Sequence, residues 1–95
     1  MKYDKMNKLV KAKWLKALRS GKYRQSREFL RGKYGYCCIG VLECVMGNKV
    51  GIGTQSTRLV PNTGLTQRAL EKLVGLNDKA KYSFKEIANW ISKNL

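Results

Sequence analysis

Drawn on a helix at about 100° per residue, Lys5, Lys8, Lys16 and Arg19 fall on the face opposite Tyr3, Met6, Val10, Trp14 and Ala17. A row of cations on one helix face can hold a chain of phosphates, and the apolar stripe behind it can bury the helix in a core. Lys22, Arg24, Arg27, Arg31 and Lys33 follow directly, with Glu28 as the one acid among them. The net charge of the 95 residues is +14, and residues 1–36 hold twelve Lys or Arg against Asp4 and Glu28. A surface built for solubility alone mixes its signs. An excess this local points to a polyanionic partner, either nucleic acid or a nucleoprotein. Tyr23, Tyr34 and Tyr36 lie within the same stretch and offer rings on which unpaired bases could stack, although a packed hairpin face would use them equally well.

Other chemistry finds less material. Histidine is absent, which removes the commonest general base and the commonest metal ligand. Three cysteines, Cys37, Cys38 and Cys44, do not complete a four-ligand zinc site, and a vicinal pair plus one makes a poor disulfide framework. The thiols sit in the most apolar segment, where burial raises a thiol pKa and blunts its reactivity. The acids are Asp4, Glu28, Glu43, Glu71, Asp78 and Glu86, with no evident catalytic pair. Glu43 stands out because it interrupts apolar residues, and Asn77-Asp78 reads as a turn. Gly51-Ile52-Gly53 lacks the Lys-Ser/Thr that a phosphate-cradling loop requires. The expectation is a binding protein without catalysis, metal or cofactor. A narrower alternative is a pocket of Arg24, Arg27 and Arg58 that sequesters an anionic (cyclic) nucleotide. A further one is an inhibitor that docks on an acidic surface of an enzyme.

The elements that would position these residues are short. One helix spans residues 3–20 and stops at Gly21, a residue suited to the left-handed cap. Residues 22–36 suggest a hairpin turning at Arg31-Gly32-Lys33. Cys37–Met46 is apolar all round and reads as a buried helix. Gly40 inside it costs about 1 kcal/mol against Ala unless another backbone packs close there. Lys49–Ile52 and Arg58–Val60 could pair as short strands. Thr66 caps a helix over Gln67–Val74 that ends at Gly75, and Leu76–Lys81 is a connector. Ser83-Phe84-Lys85-Glu86 is a capping box, which opens a last helix over 84–94 that buries Phe84, Ile87, Ala88, Ile91 and Leu95. The expected fold is a single α+β domain: about four helices with a small antiparallel sheet of two to four short strands. No apolar run approaches the ~20 residues of a membrane span, and lysines interrupt any leader-like stretch, so the expected setting is cytoplasmic, with no membrane partner.

Three pieces of the sequence resemble a family of small, mostly uncharacterised bacteriophage proteins. They are Trp14-Leu15-Lys16-Ala17-Leu18-Arg19-Ser20-Gly21-Lys22-Tyr23-Arg24-Gln25, then Tyr36-Cys37-Cys38-Ile39-Gly40-Val41-Leu42, then Leu76-Asn77-Asp78 with Ser83-Phe84-Lys85-Glu86-Ile87-Ala88. The resemblance implies a phage accessory protein working in the host cytoplasm. By analogy with other small phage proteins, it also implies an inhibitor of a host defence such as restriction, CRISPR or nucleotide signalling. The family carries a cysteine where this chain has Glu43, with Cys44 displaced by one position. That departure argues against a fixed chemical role for the third cysteine.

Overall fold

A computed structural model describes residues 3–54 and 59–95. Four helices form: α1 (Lys8–Arg19), α2 (Cys38–Val45), α3 (Gln67–Asp78) and α4 (Phe84–Asn94). α1 packs on α2 and α4, and α3 packs on the same two, so the helices close a ring around one core. Trp14, Leu18, Leu30, Ile39, Leu42, Leu70, Leu73, Ile87 and Ile91 fill it.

Local capping sets most helix ends. The Asn7 side chain accepts from the Val10 N–H at 3.0 Å and starts α1. Gly21, at φ 77°, ends it in the left-handed conformation that lacks a Cβ penalty. Ahead of α1, the Met6 N–H donates to the Leu95 carbonyl and the Asn7 N–H to the Thr63 carbonyl, which ties the helix start to the end of α4 and to the 60–65 loop. The indole Nε1 of Trp14 donates to the Cys38 carbonyl at 2.9 Å, so α1 is bonded as well as packed to α2. Ser83 and Glu86 make the reciprocal capping box that opens α4. The expected burial of Phe84, Ile87, Ala88, Ile91 and Leu95 is found.

The α+β expectation is overturned. No strand or sheet exists among the described residues, which form a helical domain. In place of a hairpin, residues 21–37 make a folded loop with isolated bridges from Tyr36 to Gln25 and to Arg31. The Tyr36 N–H donates to the Arg24 carbonyl and the Ser26 N–H to the Tyr36 carbonyl, at 2.8 and 2.7 Å, and pairing goes no further. The loop then spends its polar groups elsewhere. The Leu30 N–H donates to the Thr54 carbonyl, and the Leu30 carbonyl accepts from the Cys37 N–H. The second expected strand pair also fails on its describable half. Lys49–Ile52 runs into a turn in which Thr54 Oγ1 and N–H both donate to the Gly51 carbonyl. Its proposed partner begins at Arg58, which lies outside the described residues.

α3 does not stop at Gly75. It runs one turn further because Leu76 and Asn77 are buried there, so tertiary packing overrides the propensity of one glycine. Gly75 is helical, and no side chain or backbone crowds the place where a Cβ would go. Gly75→Ala is therefore expected to stabilise the protein by about 0.5–1 kcal/mol, seen as a rise in the urea midpoint at unchanged slope.

Candidate functional site

The expected cations divide into two groups. Lys5, Lys8, Lys16, Arg19, Lys22, Arg24 and Lys33 are exposed. Arg27 and Arg31 are half-buried and turned to structural work. Arg27 Nε donates to the Asn77 carbonyl at 2.9 Å and its Nη2 to the Lys81 carbonyl at 3.3 Å. Arg31 Nη1 donates to the Val50 carbonyl at 3.1 Å, and its guanidinium lies 5.6 Å from the Tyr36 ring centre. The nine-residue basic surface read from the sequence thus loses two members, and the Arg24, Arg27 and Arg58 pocket keeps only Arg24 as an outward cation among the described residues.

What holds Arg27 also explains the sequence motifs. Asn77, fully buried, is the junction of the loop, α2 and α3. Its Oδ1 accepts from Gln25 Nε2 at 2.9 Å and from the Cys38 N–H at 3.3 Å. Its Nδ2 donates to the Ser26 carbonyl at 3.0 Å and to Asp78 Oδ1 at 2.7 Å. Asp78 Oδ1 accepts the Glu28 N–H as well. Gln25, Cys38 and Asn77-Asp78, one from each of the three motif pieces, meet at this point. The Asn77-Asp78 turn expectation is corrected to a buried hub at the end of α3. Asn77→Ala leaves the Cys38 N–H and the Ser26 carbonyl without their partner, and a loss of about 2–3 kcal/mol is expected in urea unfolding.

Four of the six acids are occupied in similar ways. Glu86 closes the α4 cap, Asp78 serves the hub and Glu71 accepts from Gln67 Nε2. Glu43 is buried, with Oε1 accepting from Asn48 Nδ2 at 2.8 Å. None of these four stands on α1, whose exposed cations are Lys8, Lys13, Lys16 and Arg19; Lys5 is exposed too but precedes the helix, which begins at Lys8 and not at residue 3 as expected. Arg19 makes one polar contact there, from Nη2 to Asn89 Oδ1 at 3.3 Å. Leu9 is 75 % exposed among these cations. It precedes the hydrophobic anchor Val10, and the helix turns it outward.

Two hollows adjoin the cationic face. One, of about 330 Å³, runs between α1 and the end of α2, with Ala17, Tyr23 and Val45 as its apolar lining and Lys13, Lys16 and Lys22 around it. The other, of about 340 Å³, gathers Lys5, Lys11 and Lys93 at the end of α4. In the second, Lys11 Nζ is already bonded to the Ser92 carbonyl at 3.3 Å. The sequence reading missed Lys13 and Val45. Lys13 stands one turn before Ala17, a spacing visible in the sequence, but Val45 joins the site only through the packing of α1 on α2.

Of the three tyrosines, Tyr34 is 71 % exposed with Lys33 Nζ 5.3 Å from its ring centre. Tyr23 and Tyr36 are half-buried and meet edge to face at 5.7 Å. Cys38 is a buried core residue of α2 and Cys37, also buried, is its N-cap. Burial pushes the Cys38 thiol well above its ordinary range, and Cys37 and Asp78 nearby add to the effect. Among the described residues no three Cys, Asp or Glu side chains gather as a metal site, and no helix is long and apolar enough to cross a membrane.

Residues 6–50 are similar to a family described as a domain of unknown function (DUF8296). That stretch takes in α1, the folded loop and α2, and so contains both the cationic face and the 330 Å³ hollow. No curated protein and no solved structure matches the chain.

Proposed function

We propose that this protein binds nucleic acid, or a host nucleoprotein through its nucleic acid, on the outer face of α1. The observation that carries the reading is the exposed set Lys8, Lys13, Lys16 and Arg19 on α1 with Lys5 just before it, while Glu43, Glu71, Asp78 and Glu86 are bound up elsewhere and Asp4 is the one acid beside them in the chain. The helix is anchored along its length by Trp14 and at its start by the Met6 and Asn7 hydrogen bonds, so the cations are presented on a rigid element. Rigid presentation reduces the ordering cost of binding. With the phage-like motifs, the reading extends to an accessory protein that acts in the host cytoplasm against a nucleic-acid-handling defence, CRISPR effectors among them.

The test is a salt series. Fluorescence anisotropy with a labelled 20-nucleotide strand is expected to show log K falling linearly with log salt. For four or five neutralised phosphates on a single strand the slope is about −2.8 to −3.5. An affinity that ignores salt, or no binding at low salt, overturns the reading. In the second case, stoichiometric binding of a cyclic nucleotide or of one acidic host protein would identify the rival.

A further inference from the structure

A row of lysines alone cannot tell a duplex from a single strand, because both offer phosphates. The hollow between α1 and α2 adds something a phosphate does not need. It is a shallow, open hollow lined by Ala17, Tyr23 and Val45 together with Ser20, Lys13, Lys16 and Lys22. Its volume, about 330 Å³, is at the small end of ligand sites. We propose that this groove seats an unpaired base of a single-stranded nucleic acid, with the adjoining phosphates on the three lysines. The inference rests on the nucleic-acid reading above and narrows it to single strands.

Three observations support this occupant. The groove is complementary to a ligand that is apolar in one part and anionic on either side of it, as a nucleotide within a strand is. The cations reach it from two segments, Lys13 and Lys16 from α1 and Lys22 from beyond the Gly21 turn. The aromatic wall is braced, since Tyr23 meets Tyr36 edge to face at 5.7 Å, and a fixed ring costs little entropy when a base packs on it. The other cationic hollow lacks this character, because its Lys11 is bonded to the carbonyl at the end of α4 and its Tyr3 ring packs against Trp90 and Arg68.

The decisive comparison uses the wild-type protein. Anisotropy is measured at one salt concentration with a twelve-nucleotide thymidine strand, an abasic strand of equal length and a twelve-base-pair duplex. The thymidine strand is expected to bind about tenfold more tightly than either, since stacking adds to the phosphate contacts only where a base is free. Ala17→Gln lays a neutral side chain over the hollow, and Tyr23→Leu removes the ring while keeping bulk. Each is expected to cut the preference over the abasic strand to within about twofold, with circular dichroism reporting that the helices remain. Equal affinity of wild-type protein for the thymidine and abasic strands overturns the groove assignment and leaves the polyanion reading standing. So does displacement of the strand by one equivalent of adenosine monophosphate or of a Glu-Leu peptide, which would give the groove to a free nucleotide or to an acidic partner. Failure of all three nucleic acids to bind removes both readings together.

Discussion

Gly40→Ala is expected to cost about 4 kcal/mol, the sum of an overpacked core position and one lost backbone hydrogen bond. In a domain of this size that lowers Tm by roughly 20 °C. The cause is a contact between two backbones. A Cβ on Gly40 would overlap the carbonyl oxygen of Leu30 and press on the Cβ of Tyr36 at 3.3 Å. Neither side can yield. Gly40 lies within α2, where every residue from Cys38 to Glu43 is buried, and Leu30 is itself fully buried with its carbonyl accepting the Cys37 N–H at 3.1 Å. Moving Leu30 away also pulls on the Thr54 carbonyl that its N–H donates to at 2.8 Å. Thermal unfolding followed by circular dichroism checks this. A Tm within about 3 °C of wild type would show that α2 and the loop are not in contact as described. Gly75→Ala, also a helix glycine but one with open space about it, is the matched control and moves Tm the other way.

The contrast between these two glycines shows what the sequence discloses. Both stand inside helical patterns, and a local rule treats them alike. That Gly40 needs a close neighbour can be anticipated, because a glycine in a buried helix has to be offset somehow. That the neighbour is Leu30 cannot, because residues 22–36 carry the marks of a hairpin. The turn marks are partly right, since the Gly32 N–H does donate to the Gly35 carbonyl at 2.8 Å. What defeats the hairpin is Asn77, fifty-one residues beyond Ser26, whose amide takes over backbone and side-chain groups of the loop. Side-chain bonds of that range leave no periodic trace. α4 is the opposite case. Its capping box and its apolar stripe are local, and both are found in place.

The candidate site divides in the same way. The α1 face is legible because a period of 3.6 separates Lys8, Lys16 and Arg19 from Trp14 and Leu18 without reference to the rest of the chain, although the same period wrongly carried Lys5 onto the helix, which starts only at Lys8. The groove is not, because Val45 comes to α1 from another helix and Tyr23 from beyond a glycine turn. Arg27 and Arg31 looked equivalent to their neighbours in sequence. Their withdrawal from the surface follows from carbonyls at Asn77, Lys81 and Val50 that only the fold brings within reach.

Reversing Lys5, Lys8, Lys16 and Arg19 to Glu together is expected to reduce nucleic-acid affinity at least about 100-fold at low salt and to flatten the salt slope by about 3. Four reversals of two charges each take the net charge from +14 to +6, still cationic, so a general loss of attraction is only part of the change. The rest comes from placing carboxylates where phosphates would lie. The variant should fold. All four side chains are exposed, and among the described residues only Arg19 gives up a hydrogen bond, the 3.3 Å one to Asn89. Lys16 and Arg19 lie in the last turn of α1, where acids oppose the helix dipole, while Lys8 lies in the first turn, where an acid favours it. The net cost to stability is therefore about 1 kcal/mol. The necessary control carries the same charge on other surfaces. Lys49, Lys72, Lys79 and Lys85, all exposed and none on α1, are reversed in a second variant that also has net charge +6. Its expected loss is no more than about fivefold. If the two variants weaken binding equally, the cations act as a diffuse charge and α1 presents no site. If only the first loses binding, the position of the charges on that helix, and not their number, makes the interaction.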